Sequence, residues 1–139
     1  MESSTHKLLI KFLKHWIMDK FSIEEERIQD STLSYHYFNK TPRLLGCEPD
    51  LYYEDSNGKL LVLGEAKTSK DSETTHSINQ YGKCLEHCSR SPSKSYFIVA
   101  IPERSKARIN NLFRNKFAKM YANVHIEILG IPEVDLAEY

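Results

Sequence analysis

The sequence lacks a long hydrophobic run, and this absence excludes two classes of protein. None of its apolar runs approaches the roughly 18 residues that span a bilayer, so a membrane-spanning protein is not expected. Lys7, Lys11 and Lys14 interrupt the N-terminal region, where a secretory signal peptide would have an uncharged segment.

The sequence is also poor in cysteine and has no excess charge of either sign. Its three cysteines follow no metal-binding or disulfide spacing, which predicts reduced thiols and a cytoplasmic location. Nineteen basic residues balance nineteen acidic ones, so non-specific coating of nucleic acid is not expected as the main task. A local basic patch is compatible with zero net charge, because acidic residues elsewhere offset it. The length predicts a single domain over residues 1–139.

The stretch over residues 49–67 predicts a β-hairpin. Ser56-Asn57-Gly58 is a turn signal, because Asn and Gly tolerate a positive φ. The second strand is almost entirely apolar until it ends in charge, which is typical of a strand buried on both faces. Since side chains alternate along a strand, Glu65 and Lys67 share one face, and Asp50 on the neighbouring strand is expected beside them. Charged groups at the end of a buried strand are costly unless something binds there, so this is a candidate site.

Apolar periodicity predicts the other elements. These are a helix over 3–20 with Ser3 or Ser4 as N-cap, a strand over 31–38, a helix from Ser72 or Thr74 to about Cys88, a strand over 95–101, a helix over 105–121 with Met120 in its apolar stripe, and a strand over 124–129 that Gly130 and Pro132 end. The order predicts an α/β fold, with a central mixed sheet flanked by helices.

Pro49-Asp50, separated by fourteen residues from Glu65-Ala66-Lys67, resembles the PD-(D/E)XK nuclease superfamily. In that family the Asp begins one strand of a hairpin and the Glu-X-Lys ends the hydrophobic second strand. The predicted order α-β-β-β-α-β, including a helix that carries Gln80, is similar to the family core and spans roughly residues 3–101. The resemblance implies a restriction-endonuclease-like core with an extra helix and strand.

The resemblance also implies the roles of the site residues. Asp50 and Glu65 would bind Mg²⁺, or Mn²⁺, with the Ala66 backbone carbonyl as a further ligand. Mg²⁺ prefers oxygen ligands and keeps several waters, which suits two carboxylates. Lys67 would position the attacking water or stabilise transition-state charge, because an ammonium beside two carboxylates keeps its charge. Gln80 would support the site, and its alternative is an exposed helical residue.

Many members of that family place a further carboxylate on the first helix. Glu2 is the candidate here, four residues before His6 and therefore on the same helix face. Its alternative is a frayed terminal carboxylate, and Glu48 is its rival as a ligand. His76 and His6 are weaker candidates.

Several other reactive or aromatic side chains are expected to be structural. Cys84, His87 and Cys88 lie on one predicted helix without a second ligand pair, so a zinc site is not expected. The basic residues of the third helix are expected to face solvent rather than phosphates. The tyrosines expected to pack within the sheet rather than stack on bases are Tyr35, Tyr37, Tyr52 and Tyr53.

Together these features predict a metal-dependent DNA nuclease that hydrolyses phosphodiester bonds in a structure-directed or partner-directed way. The expected partner is DNA, branched or damaged, more than RNA, and no membrane partner is expected. A homodimer would supply the two sites needed to cut both strands, and a larger protein complex is the other assembly considered. Two other functions stay open: a non-catalytic nucleic-acid-binding or assembly module of the same fold, and an RNA nuclease.

Overall fold

The computed structural model describes residues 3–31 and 46–136, and the sheet they form has helices on both faces. The helices are α1 (Ser4–Phe21), α2 (Thr75–Arg90), α3 (Lys106–Lys116) and α4 (Glu133–Leu136), with 3₁₀ turns at Glu25–Arg27 and Glu103–Ser105. The strands are β1 (Gln29–Asp30), β2 (Leu51–Glu54), β3 (Leu60–Ala66), β4 (Lys94–Pro102) and β5 (Val124–Ile131). The predicted α/β class and its mixed sheet flanked by helices are confirmed.

The five strands lie in the order β1-β2-β3-β4-β5. The β1–β2 and β2–β3 pairs are antiparallel, whereas β3–β4 and β4–β5 are parallel. The carboxyl ends of β3, β4 and β5 therefore meet the start of β2 at one edge of the sheet. In α/β sheets this edge is where ligands usually bind.

The β2–β3 hairpin is confirmed, and its turn sets the pairing of the strands. Gly58 has a φ of +67°, and its N–H donates to the Asp55 carbonyl at 3.0 Å. The Lys59 N–H donates to Asp55 Oδ1 at 2.7 Å, which closes the turn. The resulting register puts Leu51 opposite Gly64 and brings the residue before β2 next to the end of β3.

Alternate residues of the central strands face two separate cores. One face packs against α1 and the other against α2 and α3, so β3 and β4 are covered on both sides. At Gly64 a Cβ would lie 2.9 Å from Leu13 Cδ2, so the glycine allows α1 to approach β3 closely. This contact lies one residue before Glu65.

The predicted helix starts are confirmed by their side-chain caps. The Ser3 hydroxyl accepts a hydrogen bond from the His6 N–H at 3.1 Å at the start of α1. The Thr74 hydroxyl accepts one from the Ser77 N–H at 3.1 Å at the start of α2. Such caps satisfy backbone donors that a helix leaves unpaired at its first turn.

Three boundary predictions are wrong or incomplete. Helix α3 ends at Lys116, because the Ala118 N–H bonds to the Phe113 carbonyl and leaves the i−4 ladder. Met120, placed in the apolar stripe by the sequence pattern, is consequently 70% exposed. Gly130 lies within β5 instead of ending it. A two-residue strand at Gln29–Asp30 was not predicted, Ser31 lies in a turn, and residues 32–38 of the predicted first strand lie outside the described part of the chain.

The prediction that all cysteines are reduced is wrong. Cys47 and Cys84 form a disulfide, with their Cα atoms 5.4 Å apart, whereas Cys88 is a buried free thiol. The bond forms because α2 packs beside the segment that leads into β2, and this packing brings together cysteines 37 positions apart. Within residues 3–31 and 46–136, no helix has the length and apolarity needed to cross a membrane.

Candidate active site

Asp50, Glu65 and Lys67 lie together where β3 ends. Asp50 immediately precedes β2, and its Oδ2 accepts a hydrogen bond from the Ala66 N–H at 2.9 Å. Lys67 immediately follows β3, and its Nζ lies 3.8 Å from Glu65 Oε2. The structure therefore brings the three residues of the sequence motif to one point at the sheet edge.

Gln80 joins this group from α2. The Lys67 ammonium donates a hydrogen bond to Gln80 Oε1 at 2.8 Å. The next residue, Tyr81, is fully buried, and its hydroxyl donates to the Ser72 carbonyl at 2.8 Å. This anchor fixes the helix turn that presents Gln80 to Lys67.

Glu65 is a buried carboxylate whose hydrogen bonding is incomplete. The residue is only 1% exposed, and its Oε1 has no hydrogen-bond partner within the described ranges. Burial raises the pKa of the Glu65 carboxyl well above its usual range, the Asp50 charge raises it further, and the Lys67 ammonium lowers it. An ionised carboxylate here is unfavourable without a cation, which suits a residue whose task is to bind one.

His6 is the site residue that the sequence analysis undervalued. Its Nε2 lies 3.4 Å from Asp50 Oδ2, and on the other side the Ser31 hydroxyl donates to Asp50 Oδ1 at 3.5 Å. Helical spacing could have indicated its position, because His6 precedes the buried residues Ile10 and Leu13 by four and seven positions. His6 therefore lies on the face of α1 that packs towards the sheet.

The remaining candidates are not among the residues shown to meet at Asp50 and Lys67. Glu2 lies outside the described residues, as do Tyr35 and Tyr37. Glu48 and His76 are exposed and line a pocket next to the site. Tyr53 is buried in the core on the α1 side of the sheet, in agreement with the expected sheet packing, and Tyr52 is half-buried against the core on the opposite side. The third-helix residue Arg108 is exposed, with its Nε 3.4 Å from Glu73 Oε2.

The donor set fits a hard cation that keeps water ligands. In the parts of the chain that the structure describes, no three or more His, Cys, Asp or Glu side chains form a metal-binding group. The site instead has two neighbouring carboxylates, Asp50 and Glu65, and the buried Oε1 of Glu65 has no hydrogen-bond partner among the described residues. Mg²⁺ is commonly held by one or two carboxylates, with waters and substrate phosphates completing its octahedron.

Replacing Glu65 with Gln is expected to stabilise the metal-free protein at neutral pH. The unfolded chain releases the Glu65 proton near its usual pKa of 4.5, whereas the folded protein holds it to higher pH. Wild-type stability therefore falls relative to Glu65→Gln as the pH rises above that value, and the difference stops growing above the raised pKa.

Urea denaturation in the presence of a chelator, repeated across this pH range, measures the effect. We expect the free energy of unfolding of Glu65→Gln to exceed that of wild type at neutral pH, and the two to converge under acid conditions. Glu127→Gln, an exposed position on β5, is the matched control. A wild type that gains stability over Glu65→Gln with rising pH would contradict the burial argument.

Comparison with protein-family models, with curated proteins and with solved structures finds no match to this chain.

Proposed function

We propose that this protein is a metal-dependent nuclease with a restriction-endonuclease-like core that hydrolyses DNA phosphodiester bonds. The observation that carries the proposal is the convergence of Asp50, Glu65, Lys67 and Gln80 at the carboxyl end of β3. These residues come from the adjoining ends of two strands and from a helix. A charged hairpin end with no function gives no reason for a buried, incompletely bonded carboxylate beside an ammonium held by a carboxamide.

The carboxylates are the proposed metal ligands. Asp50 and Glu65 would hold Mg²⁺ or Mn²⁺ together. The Ala66 N–H points to Asp50, and since the N–H and C=O of a strand residue point to the same side, the Ala66 carbonyl is a reasonable third ligand. When bound, the ion would polarise the phosphoryl oxygen and neutralise charge that develops at phosphorus. Glu2 remains a proposed further ligand.

Lys67 and Gln80 act on the reacting groups in this proposal. The Lys67 ammonium would donate to the attacking water or to a non-bridging phosphate oxygen, where negative charge grows as the new P–O bond forms and the ester P–O bond breaks. Gln80 is a positioning residue, because its Oε1 accepts from Lys67 Nζ at 2.8 Å and restricts the ammonium. A fixed donor in a partly buried site stabilises a transition state better than a mobile one.

Cleavage assays on plasmid, branched DNA, single-stranded DNA and RNA, with and without Mg²⁺ or Mn²⁺, test the proposal. We expect divalent-cation-dependent cleavage of DNA that a chelator abolishes. Cleavage of RNA alone would favour the RNA nuclease, and binding without cleavage would favour the assembly module. Cleavage rates on intact and branched duplexes give the substrate preference. The oligomeric state of the protein in solution indicates whether a dimer cuts both strands.

Asp50→Asn is expected to weaken Mn²⁺ binding by at least about tenfold and to lower cleavage at least as much, because a neutral amide replaces an anionic ligand. Isothermal titration calorimetry measures the Mn²⁺ affinity independently of activity. Asp19→Asn, an exposed position on α1, is the matched control. Equal Mn²⁺ affinity in wild type and Asp50→Asn would remove Asp50 from the proposed metal site.

A further inference from the structure

A pocket of about 450 Å³ opens beside the candidate active site, between α2 and residues 46–48. Gln80 belongs to both places, because its side chain lines the pocket and its Oε1 accepts a hydrogen bond from Lys67 at 2.8 Å. A group bound in the pocket therefore lies one side chain away from Lys67. The remaining lining residues are Gly46, Cys47, Glu48, His76, Asn79 and Lys83.

The α2 wall of the pocket is rich in hydrogen-bonding groups. His76, Asn79 and Lys83 are three and four positions apart, so they lie on one face of the helix. They offer an imidazole, a carboxamide and an ammonium, and Glu48 adds a carboxylate from the opposite wall. A polar ligand with several donors and acceptors suits this lining better than an apolar ligand, which would form no hydrogen bonds with it.

The two walls are held in place relative to each other. The Cys47–Cys84 disulfide links residues 46–48 to α2 covalently. Gly46 has a φ of +78°, and a Cβ at this position would lie 2.7 Å from Lys83 Cδ. The Lys83 side chain therefore lies directly against the glycine backbone. A pocket held in this way is preformed, which reduces the entropy lost when a ligand binds.

Building on the proposed nuclease function, we infer that this pocket binds the nucleotide that adjoins the scissile phosphate, and that this nucleotide must be unpaired. A strand whose scissile phosphate lies at Lys67 carries its adjoining nucleotide past Gln80. A base that is paired and stacked in a duplex cannot enter a pocket between a helix and a chain segment. An unpaired base can enter, because it exposes its hydrogen-bonding edges.

The lining residues have matching roles towards such a nucleotide. The Asn79 carboxamide can form two hydrogen bonds with a base edge, as carboxamides do in direct readout of bases. The Lys83 ammonium supplies positive charge for the neighbouring phosphate. The substrate class is therefore DNA with a single-stranded segment at the cut, such as a flap, a gap or a branch with unpaired nucleotides.

DNA binding measured without catalysis tests this inference. Fluorescence anisotropy in the presence of a chelator compares a duplex carrying a single-stranded extension with a fully paired duplex of the same length. We expect wild type to bind the extended DNA at least about tenfold more tightly. Asn79→Ala should reduce this preference by about five- to tenfold and leave affinity for the paired duplex unchanged. Lys83→Ala should weaken binding and lower the salt dependence by about one phosphate contact.

Asn111→Ala and Lys116→Ala, at exposed positions of α3, are the matched controls and should behave as wild type. Equal affinity for both DNAs, no detectable DNA binding, or a preference that survives both pocket substitutions would each overturn the inference. The proposed catalysis is tested by a separate result. If the protein keeps the binding preference but cuts no DNA with Mn²⁺, the inference about the pocket stands and the proposed nuclease function is wrong.

Discussion

Replacing Lys67 with Ala is expected to slow metal-dependent DNA cleavage by about 10³-fold and to leave Mn²⁺ binding in place. The Lys67 side chain is 14% exposed, and its Nζ lies 3.8 Å from Glu65 Oε2, next to the proposed position of the phosphate. Its removal takes away a fixed cationic donor at the point where negative charge develops. A 10³-fold loss corresponds to about 4 kcal/mol of transition-state stabilisation. Single-turnover rates at saturating DNA measure this effect apart from substrate affinity.

Substitution of Gln80 distinguishes a catalytic role of Lys67 from a structural one. If Gln80 acts by holding the ammonium, then Gln80→Ala should slow the single-turnover step by about tenfold, and the double variant should be no slower than Lys67→Ala. Lys59→Ala, at an exposed position before β3, is the control and should cleave as wild type does. If the cleavage rate of Lys67→Ala is within about threefold of the wild-type rate, the proposal that hydrolysis takes place at this site is wrong.

The hairpin and its site were predictable because their causes are local. Alternation along β3 predicts a shared face for Glu65 and Lys67, and the Asn-Gly turn predicts that β2 returns beside it. The antiparallel pairing of β2 with β3 then puts Asp50 next to Glu65, and this can be predicted without knowledge of the rest of the fold. Gln80 was expected at the site from the family resemblance and not from local pattern, and its Oε1 accepts a hydrogen bond from Lys67 at 2.8 Å.

The features that sequence reasoning missed depend on contacts between distant segments. His6 contacts Asp50 only because α1 packs against the sheet closely enough to meet Gly64. The early end of α3 depends on a hydrogen bond to Phe113 that no apolar pattern reveals, and Met120 is exposed as a result. The apolar spacing of a helix reports which face is buried, but it does not report where the backbone leaves the helical ladder.

Removing the Cys47–Cys84 disulfide is expected to lower the free energy of unfolding by about 3–4 kcal/mol. The bond joins residues 37 positions apart, and closing a loop of that length restricts the unfolded chain by about this amount. In urea denaturation, the variant Cys47→Ala/Cys84→Ala and wild type with a dithiol reductant should lose similar stability. The reductant should not affect the double variant, whereas Cys88→Ala should remain sensitive to it.

A thiol titration tests the disulfide directly, because it counts the free thiols that remain. The sequence has three cysteines, so the disulfide leaves one titratable thiol, Cys88, in the denatured and unreduced protein. In the folded protein burial raises the pKa of the Cys88 thiol to about 12, so that thiol should react slowly. Three thiols in the denatured, unreduced protein would contradict the disulfide and restore the expectation of reduced cysteines.

The disulfide also links the two segments that carry the site, so its loss should affect more than stability. Cys47 lies three residues before Asp50, and Cys84 lies one helical turn beyond Gln80. Without the bond, residues 46–50 are restrained by fewer contacts, and Mn²⁺ affinity is expected to fall by about tenfold, as when supporting groups around a metal site are lost. Calorimetric titration of the double variant, below its unfolding temperature, measures this. A variant that loses stability but keeps wild-type Mn²⁺ affinity would mean that the hairpin register alone positions Asp50.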